Sequence, residues 1–158
     1  MEKSCCFSGH RRLLKDEKYI KDTVNAAIQR MYSMGVRRFL TGGALGFDTL
    51  CAKEVLSMKK RYEDIELLLI LPCKDQDKYW TKSQKEEYRN LIDCADEVVY
   101  IGEKYIPGCM HARNRYMVDN SKYLVAYCEK TTGGTYYTLE YAYQKNKVVT
   151  NVAAICEK

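Results

Sequence analysis

Apolar residues along this chain fall alternately into short unbroken runs and longer one-sided stripes. Ser4 to Ser8 is a short apolar run ended by Gly9, the pattern of a strand passing into a loop. Ile20, Val24, Ala27, Ile28, Met31 and Met34 then recur at steps of three and four, which predicts a helix with one buried stripe, stopped by Gly35. Arg37 to Thr41 reads as a second strand, broken by Gly42-Gly43. From Gly46 a second helix follows, with Phe47, Leu50, Cys51, Val55 and Met58 on its buried side. The Ile65 to Leu71 run has the unbroken leucine and isoleucine content of a strand covered on both faces, and Pro72 closes it.

Lys74 to Ser83 is polar around Tyr79 and Trp80, which predicts a long loop or a short irregular helix. Thr81 or Ser83 is placed to cap the helix carrying Tyr88, Leu91, Ile92 and Ala95. Glu97 to Ile101 is a fourth strand, followed by an Ile106-Pro107-Gly108 turn and a helix across His111 to Asp119. Tyr123 to Cys128 is a fifth strand, Thr131 to Gly134 a polar loop, Thr135 to Gln144 a helix and Lys147 to Val152 a sixth strand. Strands separated by helices of this length are βαβ units, whose right-handed crossovers make the sheet parallel. The expected fold is a three-layer Rossmann-like α/β domain with a mostly parallel sheet of five or six strands, spanning residues 1–158 as one unit. Such sheets bind ligands outside the carboxyl ends of their strands, where the strand order reverses.

Composition narrows this reading in three places. With 158 residues, 46% of them hydrophobic, the chain can build one sizeable core. Its apolar runs, such as Leu67 to Leu71, are far short of the roughly 20 residues that cross a bilayer, and the first residues lack a signal-like segment, so a cytoplasmic protein without membrane contact is expected. The eight cysteines (Cys5, Cys6, Cys51, Cys73, Cys94, Cys109, Cys128 and Cys156) are scattered, without a CxxC and with only His10 and His111 as further soft ligands. They read as reduced and mostly buried thiols, and no metal site is expected. The net charge of +5 arises wholly in Met1 to Arg38, where nine basic residues face four acidic ones. That excess either attracts phosphate or nucleic acid, or forms a solvated helix face in which Lys15, Lys18 and Lys21 interleave with Asp16, Glu17 and Asp22.

Three segments carry candidate chemistry. In Thr41-Gly42-Gly43-Ala44-Leu45-Gly46-Phe47-Asp48, glycines allow close backbone approach and a helix start offers unpaired N–H groups to a phosphate. The alternative is a tight strand-to-helix turn in which Asp48 steadies the first helical turn. Gly133-Gly134-Thr135-Tyr136-Tyr137-Thr138-Leu139-Glu140 is a second candidate anion cradle, with Glu140 facing either the cleft or solvent. The third runs from Gly108 to Asp119: Arg113 supplies fixed donors if it points into the cleft, whereas Arg115 and Asp119, four apart, suit a helix-surface pair. His10 beside Arg11 and Arg12 follows the first strand. The Asp75, Gln76, Asp77, Tyr79 and Trp80 loop could cover a ligand, or Trp80 could cover an edge of the core. Tyr136, Tyr137, Tyr141 and Tyr143 suit either a subunit interface or a pocket wall.

Taken in order, Cys6-Phe7-Ser8-Gly9-His10-Arg11, Gly42-Gly43-Ala44-Leu45-Gly46-Phe47-Asp48, Leu71-Pro72-Cys73, Gly108-Cys109-Met110, Arg113-Asn114-Arg115-Tyr116-Met117-Val118-Asp119 and Gly133-Gly134-Thr135 resemble the YpsA-like branch of the SLOG superfamily. That superfamily also holds DNA-processing protein A and the LOG phosphoribohydrolases. The resemblance implies a Rossmann-like fold, a nucleotide-derived ligand, no metal or redox cofactor and, through LOG, a homodimer or higher even-numbered homo-oligomer. Met110-His111-Ala112-Arg113 matches the LOG Met-His-x-Arg helix start, and Thr138-Leu139-Glu140 resembles the end of its glycine-rich segment. One extra residue precedes this glutamate here, and one inserted helical residue turns later side chains by about 100°.

The ligand residues expected from residues and resemblance together are Ser8, Gly9, His10, Arg11, Gly42, Gly43, Ala44, Gly46, Asp48, Arg113, Gly133, Gly134, Thr135 and Thr138. The leading expectation is a domain that binds a nucleotide or nucleotide derivative. A phosphoribohydrolase would use Arg113 to orient phosphate or ribose and Glu140 to position water and stabilise charge on the sugar. A nucleic-acid module would need a continuous basic surface joining Arg11, Arg12, Arg37 and Arg38.

Overall fold

The computed structural model describes residues 2–13 and 16–153. Its strands are β1 (Ser4–Gly9), β2 (Arg38–Thr41), β3 (Glu66–Leu71), β4 (Glu97–Tyr100), β5 (Tyr123–Tyr127) and β6 (Val148–Asn151). Between them run α1 (Glu17–Ser33), α2 (Phe47–Lys59), α3 (Lys82–Cys94), α4 (Cys109–Asp119) and α5 (Gly134–Gln144). All six strands pair in parallel, in the order β4-β3-β2-β1-β5-β6. The expected α/β architecture is therefore present, with six strands.

The alternation of side chains along each strand divides the core in two. From β3, Leu67, Leu69 and Leu71 enter one apolar cluster while Leu68 and Ile70 enter the other; from β1, Phe7 goes to the first and Cys6 to the second. The first cluster receives Ile20, Val24, Ile28 and Met31 of α1, Phe47 and Val55 of α2, and Tyr88 and Leu91 of α3. The second receives Met117 and Val118 of α4 and Leu139 and Ala142 of α5. Each fully buried aliphatic side chain contributes roughly 1.5–3 kcal/mol of transfer free energy. This partition gives three layers: α1 to α3 on one face of the sheet, α4 and α5 on the other.

Asp16 accepts from the Lys18 amide at 2.9 Å to start α1. Of the two proposed caps for α3, the chain uses Thr81, in a reciprocal capping box with Gln84. The cysteines other than Cys94 and Cys156 are buried free thiols; burial pushes Cys6 and Cys73 up to about 12, far from the reactive thiolate. Cys94 is an exposed free thiol, and Cys156 lies outside the described residues. No helix among the described residues is long and apolar enough to cross a membrane.

Candidate functional site

Connections from β1 lead outward to β2, β3 and β4 on one side, whereas β5 and β6 lie on the other, so the strand order reverses between β1 and β5. Register places Ser8 beside Ala126 and Gly9 beside Tyr127, so the two strands end level and their loops leave side by side. His10 joins those loops: its Nε2 accepts the Glu129 amide at 2.9 Å, and its ring stands edge-on to Tyr127. Accepting at Nε2 requires the neutral ring. Burial, and then the nearby Lys130 charge, hold its pKa below the ordinary histidine value, in keeping with that role.

A cleft of about 1130 Å³ opens over this point. Its walls are the β1 loop (Ser8 to Arg12), the start of the β2 loop helix at Ala44, Leu45 and Asp48, the 75–80 segment, the α4 start at Met110, Arg113 and Asn114, and Lys130 to Thr135. Among the described residues, five cationic side chains line it, Arg11, Arg12, Lys78, Arg113 and Lys130, against the carboxylates of Asp48 and Asp75. The start of α5 has no side-chain cap and no acidic residue in its first turn, leaving the first N–H groups without intrahelical partners. A Cβ built on Gly133 or Gly134 would meet nothing within 4 Å, so this helix start faces open space. Among the described residues, no group of three or more His, Cys, Asp or Glu side chains gathers as metal ligands do.

The glycines after β2 are used differently. A Cβ on Gly42 would lie 2.1 Å from Arg113 Nη1, and one on Gly46 would lie 2.2 Å from the Arg11 carbonyl oxygen. The space that sequence assigned to a ligand beside Gly42 is thus filled by the Arg113 guanidinium. The α2 start is also occupied from within: the Phe47 amide donates to the His10 carbonyl at 3.1 Å, and the Ala44 amide donates to Asp48 Oδ2 at 3.3 Å. This is the tight strand-to-helix turn with Asp48 steadying it. Gly42, Gly43, Gly46 and Thr138 are not among the cleft-lining residues; Thr138 is buried and its hydroxyl donates to the Gly134 carbonyl at 2.9 Å.

Arg113 turns inward rather than standing free at the cleft mouth. It is 4% exposed, and its Nη1 donates to the carbonyls of Gly42 at 2.6 Å and Ile70 at 3.4 Å, while Nε donates to Asn114 Oδ1 at 2.8 Å. Burial lowers its pKa, and the Asp48 charge works against that fall. Burial likewise raises Asp48 to about 6, against the opposing pull of Arg113 and the Ala44 amide. A carboxyl that is easier to protonate when folded contributes stability below its unfolded pKa of about 3.8, and that contribution disappears as pH rises through about 6. Asp48→Asn is therefore expected to remove a stability decline on the order of 3 kcal/mol between pH 4 and 7, read as unfolding midpoints in urea. A slope unchanged in the variant would assign the decline to other groups.

Other side chains take positions that sequence spacing could not assign. Glu140 is exposed on α5, partnered by the Tyr136 hydroxyl, and is not among the cleft-lining residues. Six residues into α5, it lies about 9 Å along the axis from the helix start. Arg115 donates to the Tyr137 hydroxyl at 3.0 Å and Asp119 accepts from that of Tyr141 at 2.8 Å, so each binds α4 to α5. Arg37 is engaged by Asp64, and Arg38 by Glu66 and Glu97. Arg38 begins β2 while Arg11 follows the end of β1, so in a parallel sheet they sit at opposite edges. The continuous four-arginine surface does not form.

The sequence matches the family described as YpsA, the YspA SLOG family, over residues 7–155. The chain belongs to that family. Another relative, the uncharacterized SPbeta prophage-derived protein YoqJ of Bacillus subtilis (strain 168), is 35% identical over 136 residues, covering 78% of this chain and 80% of YoqJ. Two solved structures share the fold of this SLOG chain. DNA processing protein A from Streptococcus pneumoniae superposes with a TM-score of 0.69 at 18% identity, covering 94% of this chain and 49% of that one. DNA processing protein A from Helicobacter pylori, whose structure concerns a single-stranded DNA binding mode, gives 0.67 at 19%, covering 92% and 63%. The SLOG chain thus spans about half of the first and under two thirds of the second.

Proposed function

We propose that this SLOG domain binds a nucleotide or nucleotide derivative in the cleft between the β1 and β5 loops, with its phosphate at the start of α5. The carrying observation is the uncapped, open Gly133-Gly134-Thr135 helix start flanked by Lys130, Arg11 and Arg12. Partial positive charge from aligned peptide dipoles and free amides at such an end favours an anion, and the exposed cations add fixed charge. A cleft of 1130 Å³ leaves room for far more than a phosphate.

Calorimetry against mononucleotides and ADP-ribose-like compounds tests this reading. Saturable binding is expected, weakened about tenfold by Lys130→Ala, the worth of one charge-assisted hydrogen bond. An absence of binding across the panel would sink it. Glu140→Gln is expected to leave affinity within about twofold, because that carboxylate stands away from the cleft wall. A larger loss would bring Glu140 to the ligand and revive the hydrolase arrangement with Arg113.

A second reading rests on the likeness to the Helicobacter pylori protein and on the cationic rim: a single nucleic-acid strand lying across the same cleft. Its signature is oligonucleotide affinity that falls steeply as salt rises and exceeds that of any mononucleotide. A mononucleotide that binds as tightly as an oligonucleotide favours the first reading.

A further inference from the structure

Where the strand order reverses, one residue joins the two halves of the sheet. The His10 carbonyl accepts the Phe47 amide at 3.1 Å, tying the β1 loop to α2, while the His10 ring reaches the other way and its Nε2 accepts the Glu129 amide at 2.9 Å. The main-chain half of this junction is closely packed. A Cβ on Gly46 would lie 2.6 Å from the His10 carbonyl oxygen, and one on Gly9 would lie 2.4 Å from the Phe47 ring. The His10 backbone therefore has no room to follow a partner that moves.

The segment beyond the ring is held at its two ends. Cys128 is fixed to β6 by Asn151, whose Oδ1 accepts the Cys128 amide at 3.1 Å and whose Nδ2 donates to the Cys128 carbonyl at 2.9 Å. Gly134 opens α5, and its carbonyl accepts the Thr138 hydroxyl at 2.9 Å. Between them residues 130–133 are exposed, and a Cβ on Gly133 would meet nothing within 4 Å. The Cys128 thiol, a weak donor, reaches the Lys130 carbonyl at 3.2 Å. The His10 ring carries the link from this segment across to β1.

An imidazole accepts a hydrogen bond only while one nitrogen is bare. Protonation turns Nε2 into a donor facing the Glu129 N–H and places a second positive charge near Lys130. Burial and Lys130 favour the neutral ring, and the Glu129 carboxylate opposes them. Arg11 and Arg12 of the same loop, Asp48 of α2 and Arg113 of α4 are further charged groups on this cleft.

We infer that His10 is a proton-operated latch: the neutral ring holds the 129–133 segment to the β1 loop, and protonation frees it, opening the cleft wall that carries Lys130. The latch belongs to the wall and acts whatever ligand the cleft takes. Because the ring's pKa is held below the ordinary 6.5, the latch is closed near neutrality and opens in mild acid. Its contribution is present above that range and is lost as pH falls through it.

NMR on the full chain without ligand, following ring nitrogen shifts and amide hydrogen exchange from about pH 8 to about pH 5, tests this. Nε2 is expected to be bare at the upper pH. As His10 titrates, the amides of residues 129–133, corrected for the intrinsic pH dependence of exchange, lose protection about fivefold, the worth of one hydrogen bond, while that of Cys128 is unchanged. Glutamine offers a carbonyl oxygen that does not titrate, so His10→Gln keeps its protection throughout. Asp48→Asn retains the step, because the proton goes to His10. The latch is overturned if Nε2 is protonated at the upper pH, if His10 takes no proton in this range, or if it titrates while residues 129–133 stay protected. A loss that persists in His10→Gln, or vanishes in Asp48→Asn, also overturns it. The wild-type titration is decisive even where a variant fails to fold, since ring and amides must change with one midpoint.

Discussion

Arg113→Met is expected to lower the unfolding free energy by roughly 3–5 kcal/mol at pH 7, the loss that follows removal of one member of a buried charged cluster. Methionine keeps much of the aliphatic stem, so the change isolates the guanidinium. Without it the Gly42 and Ile70 carbonyls lose their donor, and buried Asp48 loses the cation that opposes its rise to about 6. The sign with pH follows. In the variant Asp48 rises above about 6, so keeping it ionised at pH 7 costs more than in the wild type, whereas at pH 5 it is mostly protonated in both. The loss should therefore be smaller at pH 5 than at pH 7. Urea unfolding at the two pH values measures this, and a loss under about 1 kcal/mol, or one independent of pH, would show that the guanidinium is dispensable to the turn.

Gly46→Ala is the second large effect, expected to cost roughly 3–5 kcal/mol from left-handed backbone strain plus overpacking. Gly46 has φ +81, a region that side chains with a Cβ avoid, and the added carbon would meet the Arg11 carbonyl oxygen at 2.2 Å and the His10 carbonyl oxygen at 2.6 Å. Those contacts are backbone, so no side chain can swing aside. Relief requires the β1 loop to move away from α2, breaking the Phe47 amide to His10 carbonyl bond and shifting His10 from the Glu129 amide. Thermal unfolding reads the stability loss, and nucleotide affinity reads the displaced cleft wall. Gly133→Ala is the matched control: it shares a positive φ, +96, but meets nothing within 4 Å, so it carries strain without the clash. Equal losses at the two positions would mean that backbone strain alone, not close packing, accounts for Gly46.

Much of the fold was legible because its signals are local. The α1 stripe of Ile20, Val24, Ile28 and Met31 repeats at helical spacing and is buried as that spacing demands. The Leu67 to Leu71 run is apolar on both sides and sends alternate residues to two cores. Thr81 with Gln84 is a capping pair readable three residues apart. The glycine-rich turns were located correctly, at the carboxyl edge before helices, yet their uses were not distinguishable. Gly42-Gly43 and Gly133-Gly134 look alike in sequence, and one is packed against Arg113 and Leu71 while the other is open.

His10 was legible only as a loop histidine beside two arginines. Its ring contact depends on the Glu129 amide, 119 positions on. Arg115 and Asp119 illustrate the same limit. Spacing along one helix brings residues to a common face, but the neighbour that takes each side chain belongs to another element, here Tyr137 and Tyr141 of α5 for the two α4 residues.

By itself, then, the amino-acid order determined the succession of strands and helices, the parallel sheet and the edge on which the glycine-rich turns lie, because these follow from periodicities of two and near four and from short turns. Only the tertiary structure decided which glycine turn stays open, that Arg113 becomes an internal pillar and that His10 joins the β1 and β5 loops. Each of those outcomes is set by what fills the adjoining space, and in the case of Arg113 and Gly42 the filling residue comes from 71 positions away.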